Sequence, residues 1–272
     1  MIYFTKTSRG YSHINNGIAC QDYSASYHDE SKTIVAACDG HGSSIYFRSD
    51  RGSKFACFAL IDVFKNIQIS QIDLLKNQEY LDKLKIKILF QWNTYVENDI
   101  TNNPFTDEDL NNFSEDELFR INNNPSIAYG TTLNGFVIIG KYVVCVQLGD
   151  GGVFIVKDGQ AFPSFEEDES NVANITCSMC QEDAFEHLNI NVQKLYYLDA
   201  ILICTDGLLG PYQSYENFQN SFITPMLKKI GKSKSHDVVK FIDTLAKSKG
   251  NGDDVSIGVY AKESKLISLY KK

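Results

Sequence analysis

Hydrophobic and polar residues follow two different rhythms in the first part of the chain. Residues 2–8 and 23–28 have the two-residue period of strands, and the apolar run that ends at Asp39 predicts a buried strand. Residues 49–66 and 79–99 instead repeat apolar side chains every three or four positions. That spacing predicts two amphipathic helices.

The middle of the chain returns to the strand pattern after a polar stretch. Residues 98–125 are rich in Asn, Asp and Glu and predict a connector with one short helix. Strands are then predicted at 131–140, 142–148 and 152–157, joined by glycine turns or short polar links. Links this short require antiparallel pairing of neighbouring strands.

The last part of the chain mixes strands and helices. Residues 162–191 are acidic and irregular, and we expect a surface insertion or flap there. Apolar runs predict a strand within 194–205, helices at 216–230 and 237–247, and a final strand at 255–260. Strands followed by pairs of helices indicate an α+β fold, with helices covering antiparallel sheets. No linker divides the sequence, so we expect one domain.

Composition and charge narrow the class of protein. The chain has 272 residues, 43% of them hydrophobic, and a formal net charge of −8. This acidity argues against nucleic acid as a partner, because nucleic-acid-binding surfaces are basic. No apolar stretch has the length of a membrane span, and the N-terminus lacks the pattern of a signal peptide. We therefore expect a cytoplasmic monomer with no membrane partner.

The cysteines fit a reducing compartment. There are seven, and Cys38, Cys145 and Cys204 lie inside apolar runs, where cysteine behaves as a small buried hydrophobe. Cys177 and Cys180 form a C-x-x-C pair, but no second pair completes a zinc site. We interpret this pair as a coincidence within a loop.

Carboxylates follow three of the apolar runs, each next to a glycine. Asp39, Asp150 and Asp206 each precede a glycine, and a further acidic pair, Asp253 and Asp254, comes just before the last strand. A single Asp-Gly usually marks only a turn. Two carboxylates about 4 Å apart repel by roughly 4 kcal/mol at an effective dielectric near 20. A bound cation would offset this repulsion within a cluster of carboxylates. Oxygen-rich clusters bind hard divalent ions, and the pattern predicts one metal site.

A titratable ring adjoins the first of these carboxylates. The order is Asp39, Gly40, His41 and Gly42. A glycine carbonyl can approach an ion closely, and an imidazole can act as an acid or base near neutral pH. A lone histidine is more often structural, but its place beside a proposed metal ligand favours a role in chemistry.

The acidic motifs occur in an order that resembles a known family. The series comprises Gln21-Asp22, Asp39-Gly40-His41-Gly42, Gly130-Thr131-Thr132, Gly149-Asp150-Gly151, Thr205-Asp206-Gly207 and Asp253-Asp254. In this order the chain resembles the metal-dependent protein serine/threonine phosphatases of type 2C, and most closely a bacterial branch. The resemblance implies a four-layer αββα sandwich with two Mg²⁺ or Mn²⁺ ions at one end of the paired sheets. It also implies a phosphorylated protein as the substrate.

The resemblance assigns metal ligands to particular residues of this chain. Asp39 would bridge the two ions, with the carbonyl of Gly40 on one of them, while Asp206 and Asp253 would hold the other. Asp150 matches a position that helps to bind a third, weaker ion in some members.

The same resemblance assigns two catalytic groups. Asp22 matches an acid that orients the attacking water, and His41 matches the general acid for the leaving alkoxide. A water shared between two divalent ions loses its proton near neutral pH and attacks phosphorus in line. General acid catalysis by a group such as His41 typically adds about 10²–10⁴-fold in rate.

One substrate-binding group of the family is missing. Many members carry an arginine shortly before the acidic pair, whereas residues 15–20 contain none and Gln21 stands where a glutamate is common. We expect His13 and Arg48, ahead of Arg9, to bind the substrate phosphate in its place. Asp254 stands where asparagine is common, and we expect it to lie behind the metal ligands.

Two other functions remain open at this point. The missing arginine would also fit a weakly active or inactive phosphatase-like protein that binds and regulates phosphorylated partners. A different binuclear hydrolase, acting on nucleotides or other phosphate esters, is the third alternative. The sequence has no Gly-x-x-x-x-Gly-Lys-Ser/Thr loop and no His-rich metal set to support it.

Overall fold

Ten strands form two antiparallel sheets in the part of the chain that the structure describes. The structure is a computed structural model, described for residues 1–166, 176–232, 235–249 and 252–270. In chain order the strands are β1 (Ile2–Ser8), β2 (Tyr23–His28), β3 (Lys32–Cys38), β4 (Leu133–Ile139), β5 (Tyr142–Leu148), β6 (Gly152–Lys157), β7 (Gln160–Pro163), β8 (Asn189–Lys194), β9 (Ala200–Cys204) and β10 (Val255–Ala261). The first sheet has the order β1-β10-β9-β6-β7, and the second has the order β2-β3-β4-β5-β8.

The two sheets pack face to face through alternate residues of their strands. Val35 and Ala37 of β3 lie in an apolar cluster with Ile201 and Ile203 of β9. Ile34, Ala36 and Cys38, the intervening residues of β3, lie in a second cluster on the outer face of the same sheet. Because successive side chains of a strand point to opposite faces, one fully buried strand supplies two cores.

Helices cover both outer faces. In chain order they are α1 (Tyr11–Asn15), α2 (Ser49–Lys65), α3 (Gln78–Asn102), α4 (Asp107–Leu110), α5 (Glu115–Asn123), α6 (Ala184–His187), α7 (Asp206–Leu209), α8 (Tyr215–Phe218), α9 (Thr224–Gly231), α10 (Ser235–Thr244) and α11 (Glu263–Tyr270). Helices α2 and α3 pack on the second sheet, and α9, α10 and α11 pack on the first. The four layers confirm the predicted α+β fold and αββα sandwich.

The long helices form where the apolar spacing predicted them. In α2 the buried residues Ala56, Leu60 and Phe64 recur every four positions and face the second sheet. At the end of α2 the buried Lys32 donates hydrogen bonds of 2.8 Å from Nζ to the carbonyls of Lys65 and Ile67. A lysine from β3 therefore satisfies backbone acceptors that the helix itself leaves open.

The connector between the first helices and β4 contains more helix than expected. Helix α3 extends to Asn102, and α4 and α5 follow it. Thr106 and Ser114 cap these short helices, and the side chains of Asp109 and Glu117 accept hydrogen bonds from the backbone N–H groups of the capping residues. Such reciprocal caps stabilise helices with few apolar residues.

Residues 176–191 do not form the surface insertion that we expected, because part of this segment is buried and part of it enters a strand. Cys177, Met179 and Cys180 are buried in the core beneath the second sheet. The chain then enters β8, which forms the edge of that sheet, while β7 has already begun at Gln160. Residues 167–175 of the predicted flap lie outside the described residues.

No single helix of the described residues is long and apolar enough to cross a membrane. Within the described part of the chain, α2 and the 3₁₀ helix Ile69–Lys76 reach that length and composition as a pair, which is bent by 109°.

Candidate metal centre

Three carboxylates from distant strands meet at one end of the sandwich. The ligand oxygens of Asp39, Asp150 and Asp206 lie within 4.8 Å of one another. Strands β3 and β5 are both antiparallel to β4, so they run in the same direction and end at the same edge of their sheet. Asp39 follows β3, Asp150 lies two residues after β5, and Asp206 lies two residues after β9 of the other sheet.

The Gly-Thr-Thr motif fixes the backbone of Asp39. The carbonyl of Asp39 accepts hydrogen bonds from the N–H of Thr132 at 2.8 Å and from the hydroxyl of Thr131 at 2.7 Å. The N–H of Asp39 in turn donates to Oγ1 of Thr132 at 3.0 Å. The two threonines thus hold the strand end that carries the carboxylate.

Gly40 lies where two backbone segments come close. A Cβ atom at this position would lie 2.6 Å from the carbonyl oxygen of Ser49 and 2.7 Å from that of Gln21. Both distances are shorter than any normal contact, so a larger residue would push these segments apart. Glycine here lets the start of α2 and the segment before β2 approach the strand end that carries Asp39.

Asp150 is held by its turn and by two side chains. It lies between Gly149 and Gly151, whose φ angles of 83° and 87° belong to the left-handed region. Thr176 donates a 2.6 Å hydrogen bond to Oδ2 of Asp150, and Asn134 donates to its carbonyl at 3.0 Å. Sequence analysis missed Thr176 and Asn134, since neither lies in a recognisable motif.

Asp206 and Asp253 lie on neighbouring segments. Asp206 begins α7, and its Oδ1 atom is buried without a hydrogen-bond partner among the described residues. A Cβ built on Gly207 would lie 3.5 Å from Cβ of Asp253, so the two acids are close. Asp253 is not one of the three clustered acids, and 43% of its side chain is exposed. A ligand role for Asp253 stays a prediction.

Asp22 lies behind these acids and is almost completely buried. The hydroxyl of Thr205 donates to Oδ2 of Asp22 at 2.8 Å, and the N–H of Ser256 donates to Thr205 at 2.9 Å. Thr205 directly precedes Asp206. Asp22 is therefore coupled to the strand end that carries Asp206.

Burial and mutual repulsion perturb the clustered acids. Burial, followed by the charge on Asp22, raises the pKa of Asp39 well above its usual range. Burial also raises the pKa of Asp206, and the charges on Asp150 and Asp253 add to that rise. Burial is again the largest cause of the raised pKa of Asp22. These directions mean that the cluster opposes full ionisation when no cation neutralises it.

The residues present fit a divalent cation. Within the described ranges, no lysine or arginine forms an ion pair with Asp39, Asp150 or Asp206. The donors are carboxylate oxygens, which Mg²⁺ and Mn²⁺ prefer, and one of them is a buried orphan.

His41 packs beside the cluster. Its ring meets the ring of Tyr46 edge to face at 4.9 Å, and its backbone N–H donates to the carbonyl of Gly130 at 3.1 Å. Burial lowers the pKa of His41, while the charge on Asp150 opposes that shift.

His13 and Arg48, which we expected to bind the substrate phosphate, both contact other groups of the protein. Nδ1 of His13 lies 2.9 Å from Oδ2 of Asp254, and its Nε2 lies 3.6 Å from Oδ1 of Asp253. The buried guanidinium of Arg48 donates to the carbonyl of Asn103 at 2.6 Å and to the hydroxyl of Tyr129 at 2.8 Å. His13 thus lies against two carboxylates, which compete with a phosphate anion for the ring. Arg48 supports the end of α3.

Asp254 holds the segment before β2 in place. Its Oδ1 accepts from the N–H of Gly10 at 2.7 Å, and its Oδ2 accepts from the N–H of Gln21 at 2.6 Å. The side chain is 1% exposed. An asparagine could accept only through its single oxygen, so the second carboxylate oxygen accounts for an acid at this position.

Phosphatases are among the known proteins that this chain resembles. The family model described as protein phosphatase 2C matches residues 9–243. A solved bacterial serine phosphatase is 17% identical, with a TM-score of 0.64 over 96% of this chain and 97% of that chain. The serine/threonine phosphatase PstP/Ppp of Mycobacterium tuberculosis is 17% identical, with a TM-score of 0.59 over 96% of this chain and 98% of that chain.

Further comparisons agree with that fold. Serine/threonine phosphatase Stp1 of Staphylococcus aureus is 15% identical, with a TM-score of 0.57 over 96% of this chain and 94% of that chain. The catalytic domain of PstP has also been solved with two manganese ions. No curated protein matches the sequence. The structural likenesses establish the fold, and the family model, which covers most of the chain, establishes that the chain belongs to the protein phosphatase 2C family.

Proposed function

We propose that this protein is a metal-dependent phosphatase that hydrolyses phosphoserine and phosphothreonine in proteins. The observation that carries the proposal is the meeting of Asp39, Asp150 and Asp206 within 4.8 Å, with a buried orphan oxygen on Asp206. Membership of the protein phosphatase 2C family supports the enzyme class.

Two Mg²⁺ or Mn²⁺ ions would be held by the acids at the ends of the strands. Asp39 would serve both ions, with the carbonyl of Gly40 on one of them, and Asp206 and Asp253 would hold the other. Asp150 lies within the same cluster and suits a third, weaker ion. When bound, the ions neutralise phosphoryl oxygens and make water a stronger nucleophile near neutral pH.

Asp22 orients the attacking water, and His41 donates a proton to the leaving group. Thr205 donates to Oδ2 of Asp22 and fixes the carboxylate that would orient the attacking water. His41 donates a proton to the serine or threonine oxygen as the P–O bond breaks. Packing against Tyr46 restricts the position of the His41 ring beside Asp150.

The test is release of phosphate from a phosphothreonine peptide, with Mn²⁺ and with EDTA. We expect activity only with the metal, and a loss of at least about 100-fold in Asp39→Asn and Asp206→Asn, because ligands matter at least as much as their supporting residues. Asp73→Asn is the matched control, since Asp73 is an exposed acid. Full activity in EDTA or in Asp39→Asn would contradict the proposal.

A weakly active binding protein is the second candidate. The observation that favours it is the engagement of His13 by Asp253 and Asp254 and of Arg48 by Asn103 and Tyr129. Binding of the phosphopeptide in EDTA, with no hydrolysis in Mn²⁺, would support this candidate over the first. A cytoplasmic location and a monomeric state stay predictions.

A further inference from the structure

A groove of about 780 Å³ opens beside the candidate metal centre. Asp150 and Asp206 form one end of it, so the groove is continuous with the carboxylate cluster. From there it runs between the β6–β7 hairpin and the segment that follows β9. Its apolar and aromatic lining residues include Phe154, Phe165, Leu209, Tyr212, Tyr215 and Phe218.

The aromatic wall is held rigidly by its own packing. The ring of Tyr215 stacks on that of Phe154, with centroids 5.8 Å apart and an interplanar angle of 17°. Phe218 contacts Phe154 at 5.5 Å and Tyr212 at 5.2 Å, while the Tyr215 hydroxyl donates to the carbonyl of Ala161. Phe154 and Phe218 are buried, whereas Tyr215 is 39% exposed at the rim. The wall is therefore formed before any ligand arrives.

Outside the metal centre, the carboxylate of Glu166 disfavours acidic ligands in the groove. Besides two tyrosines, its ionisable lining residues are Asp150, Glu166, His187 and Asp206, and no lysine or arginine is among the described residues that line it. An acidic side chain in the groove would face Glu166 and find no cation from lysine or arginine. Neutral apolar and basic side chains meet no such penalty.

We propose that this groove binds a large apolar side chain of the phosphoprotein substrate, adjacent in sequence to the phosphorylated residue. The inference rests on the proposed function and adds the substrate class, namely phosphosites flanked by Phe, Leu or another bulky apolar residue and not by Asp or Glu. An extended peptide advances about 3.3 Å per residue, so a residue within about three positions of the phosphate can enter the groove.

The test is a series of phosphothreonine peptides on the wild-type protein. Phe, Ala, Lys or Glu is placed in turn at each position within about three residues of the phosphothreonine. At one position or more we expect kcat/KM for Phe to exceed that for Ala by at least about tenfold, the effect of burying most of an aromatic side chain. The Glu peptide should be the slowest at that position.

Variants of Tyr215 locate the effect. Tyr215→Ala removes the exposed part of the wall and should reduce the Phe-to-Ala ratio at least about threefold, whereas Tyr215→Phe keeps the ring and should keep the ratio. Phe90→Ala is the matched control, because Phe90 is 70% exposed on α3. If Tyr215→Ala fails to fold, the peptide series on the wild-type protein still decides the question.

A binding measurement separates this inference from the proposed function. Phosphonate analogues of the same peptides cannot be hydrolysed, and their Kd is read by fluorescence anisotropy. If the Phe and Ala peptides have equal Kd and equal kcat/KM at every position, the proposal that the groove binds an apolar side chain is wrong, whatever the level of activity. A Phe preference in Kd without hydrolysis of any peptide would retain the groove and overturn the proposed function.

Discussion

The hydroxyl of Thr205 donates a 2.8 Å hydrogen bond to the buried carboxylate of Asp22. This bond joins the residue before β2 to the end of β9, and so joins the two sheets at the candidate metal centre. Asp22 and Asp206 are 184 positions apart in the sequence. Their relative placement therefore depends on a contact between the two motifs, which neither motif reveals by itself.

Replacement of Thr205 tests this link. Thr205→Val keeps the shape but removes the hydroxyl that donates to Asp22, so we expect a loss of about 1–3 kcal/mol in the free energy of unfolding. Phosphatase kcat should fall about 10- to 100-fold, as for other residues that orient metal-site groups. Thr205→Ser retains the hydroxyl and should recover most of both. Urea denaturation and phosphopeptide kinetics measure the two effects; equal loss in the Ser variant would refute the hydrogen-bond explanation.

Metal binding should stabilise the protein through the clustered acids. With Mn²⁺ at about 100 times its Kd, the stabilisation is about 2.7 kcal/mol, and we expect Tm to rise by about 5 °C or more. In EDTA, Asp206→Asn should melt about 2–4 °C higher than the wild-type protein, because it removes a repelling buried charge. The same variant should lose most of the Mn²⁺ effect.

Differential scanning calorimetry with and without Mn²⁺ measures these shifts. Asp116→Asn is the control: it removes the same charge, but from a residue that is exposed on α5. A drop in Tm for Asp206→Asn in EDTA would mean that Asp206 has a stabilising partner and does not belong to a repelling cluster.

Lys32 should contribute strongly to stability. Its Nζ donates to the carbonyls of Lys65 and Ile67 at 2.8 Å, and the side chain is buried. Lys32→Met fills similar space but leaves these acceptors unsatisfied, so we expect a loss of about 2–4 kcal/mol in the free energy of unfolding. Lys87→Met, at an exposed position of α3, is the control and should change the value by less than about 0.5 kcal/mol. Urea denaturation monitored by circular dichroism gives both numbers.

The β2–β3 turn should be weakened by acid. The carboxylate of Asp29 accepts from the hydroxyl and the N–H of Ser31, both at 2.7 Å, and these hydrogen bonds lower the pKa of Asp29 to about 2. A folded-state pKa below the unfolded value stabilises the protein above the unfolded pKa. The stabilisation is lost as the pH falls through the folded pKa.

Asp29→Asn tests that pH dependence. The variant should be less stable than the wild-type protein by about 0.5–1 kcal/mol at pH 7, a small value because the group is close to solvent. The difference should shrink between about pH 4 and pH 2. A difference that is constant from pH 7 to about pH 2 would contradict the titration of Asp29.

The strands and long helices were predictable because their apolar periods are strong. β1 to β6, α2 and α3 all occur at the expected places. β8 was missed because an edge strand buries little: its sequence Asn-Ile-Asn-Val-Gln-Lys has no fully buried residue. The terminal α11 was missed as well, since it buries only Leu266 fully against the first-sheet core.

The chemical types of the clustered acids can be read from the sequence alone. The Asp-Gly dipeptides at strand ends and the order of the motifs identified Asp39, Asp150 and Asp206, because a strand followed by a glycine turn presents its carboxylate at a sheet edge. The hydrogen-bond partners of the other groups could be identified only from the folded chain. Thr205, Thr176 and Asp254 act across sheets and loops, and Arg48 is engaged at the end of α3. A hydrogen bond forms only when its donor and acceptor lie within a few tenths of an ångström of the ideal distance. For residues far apart in sequence, the packing of the two sheets fixes that distance.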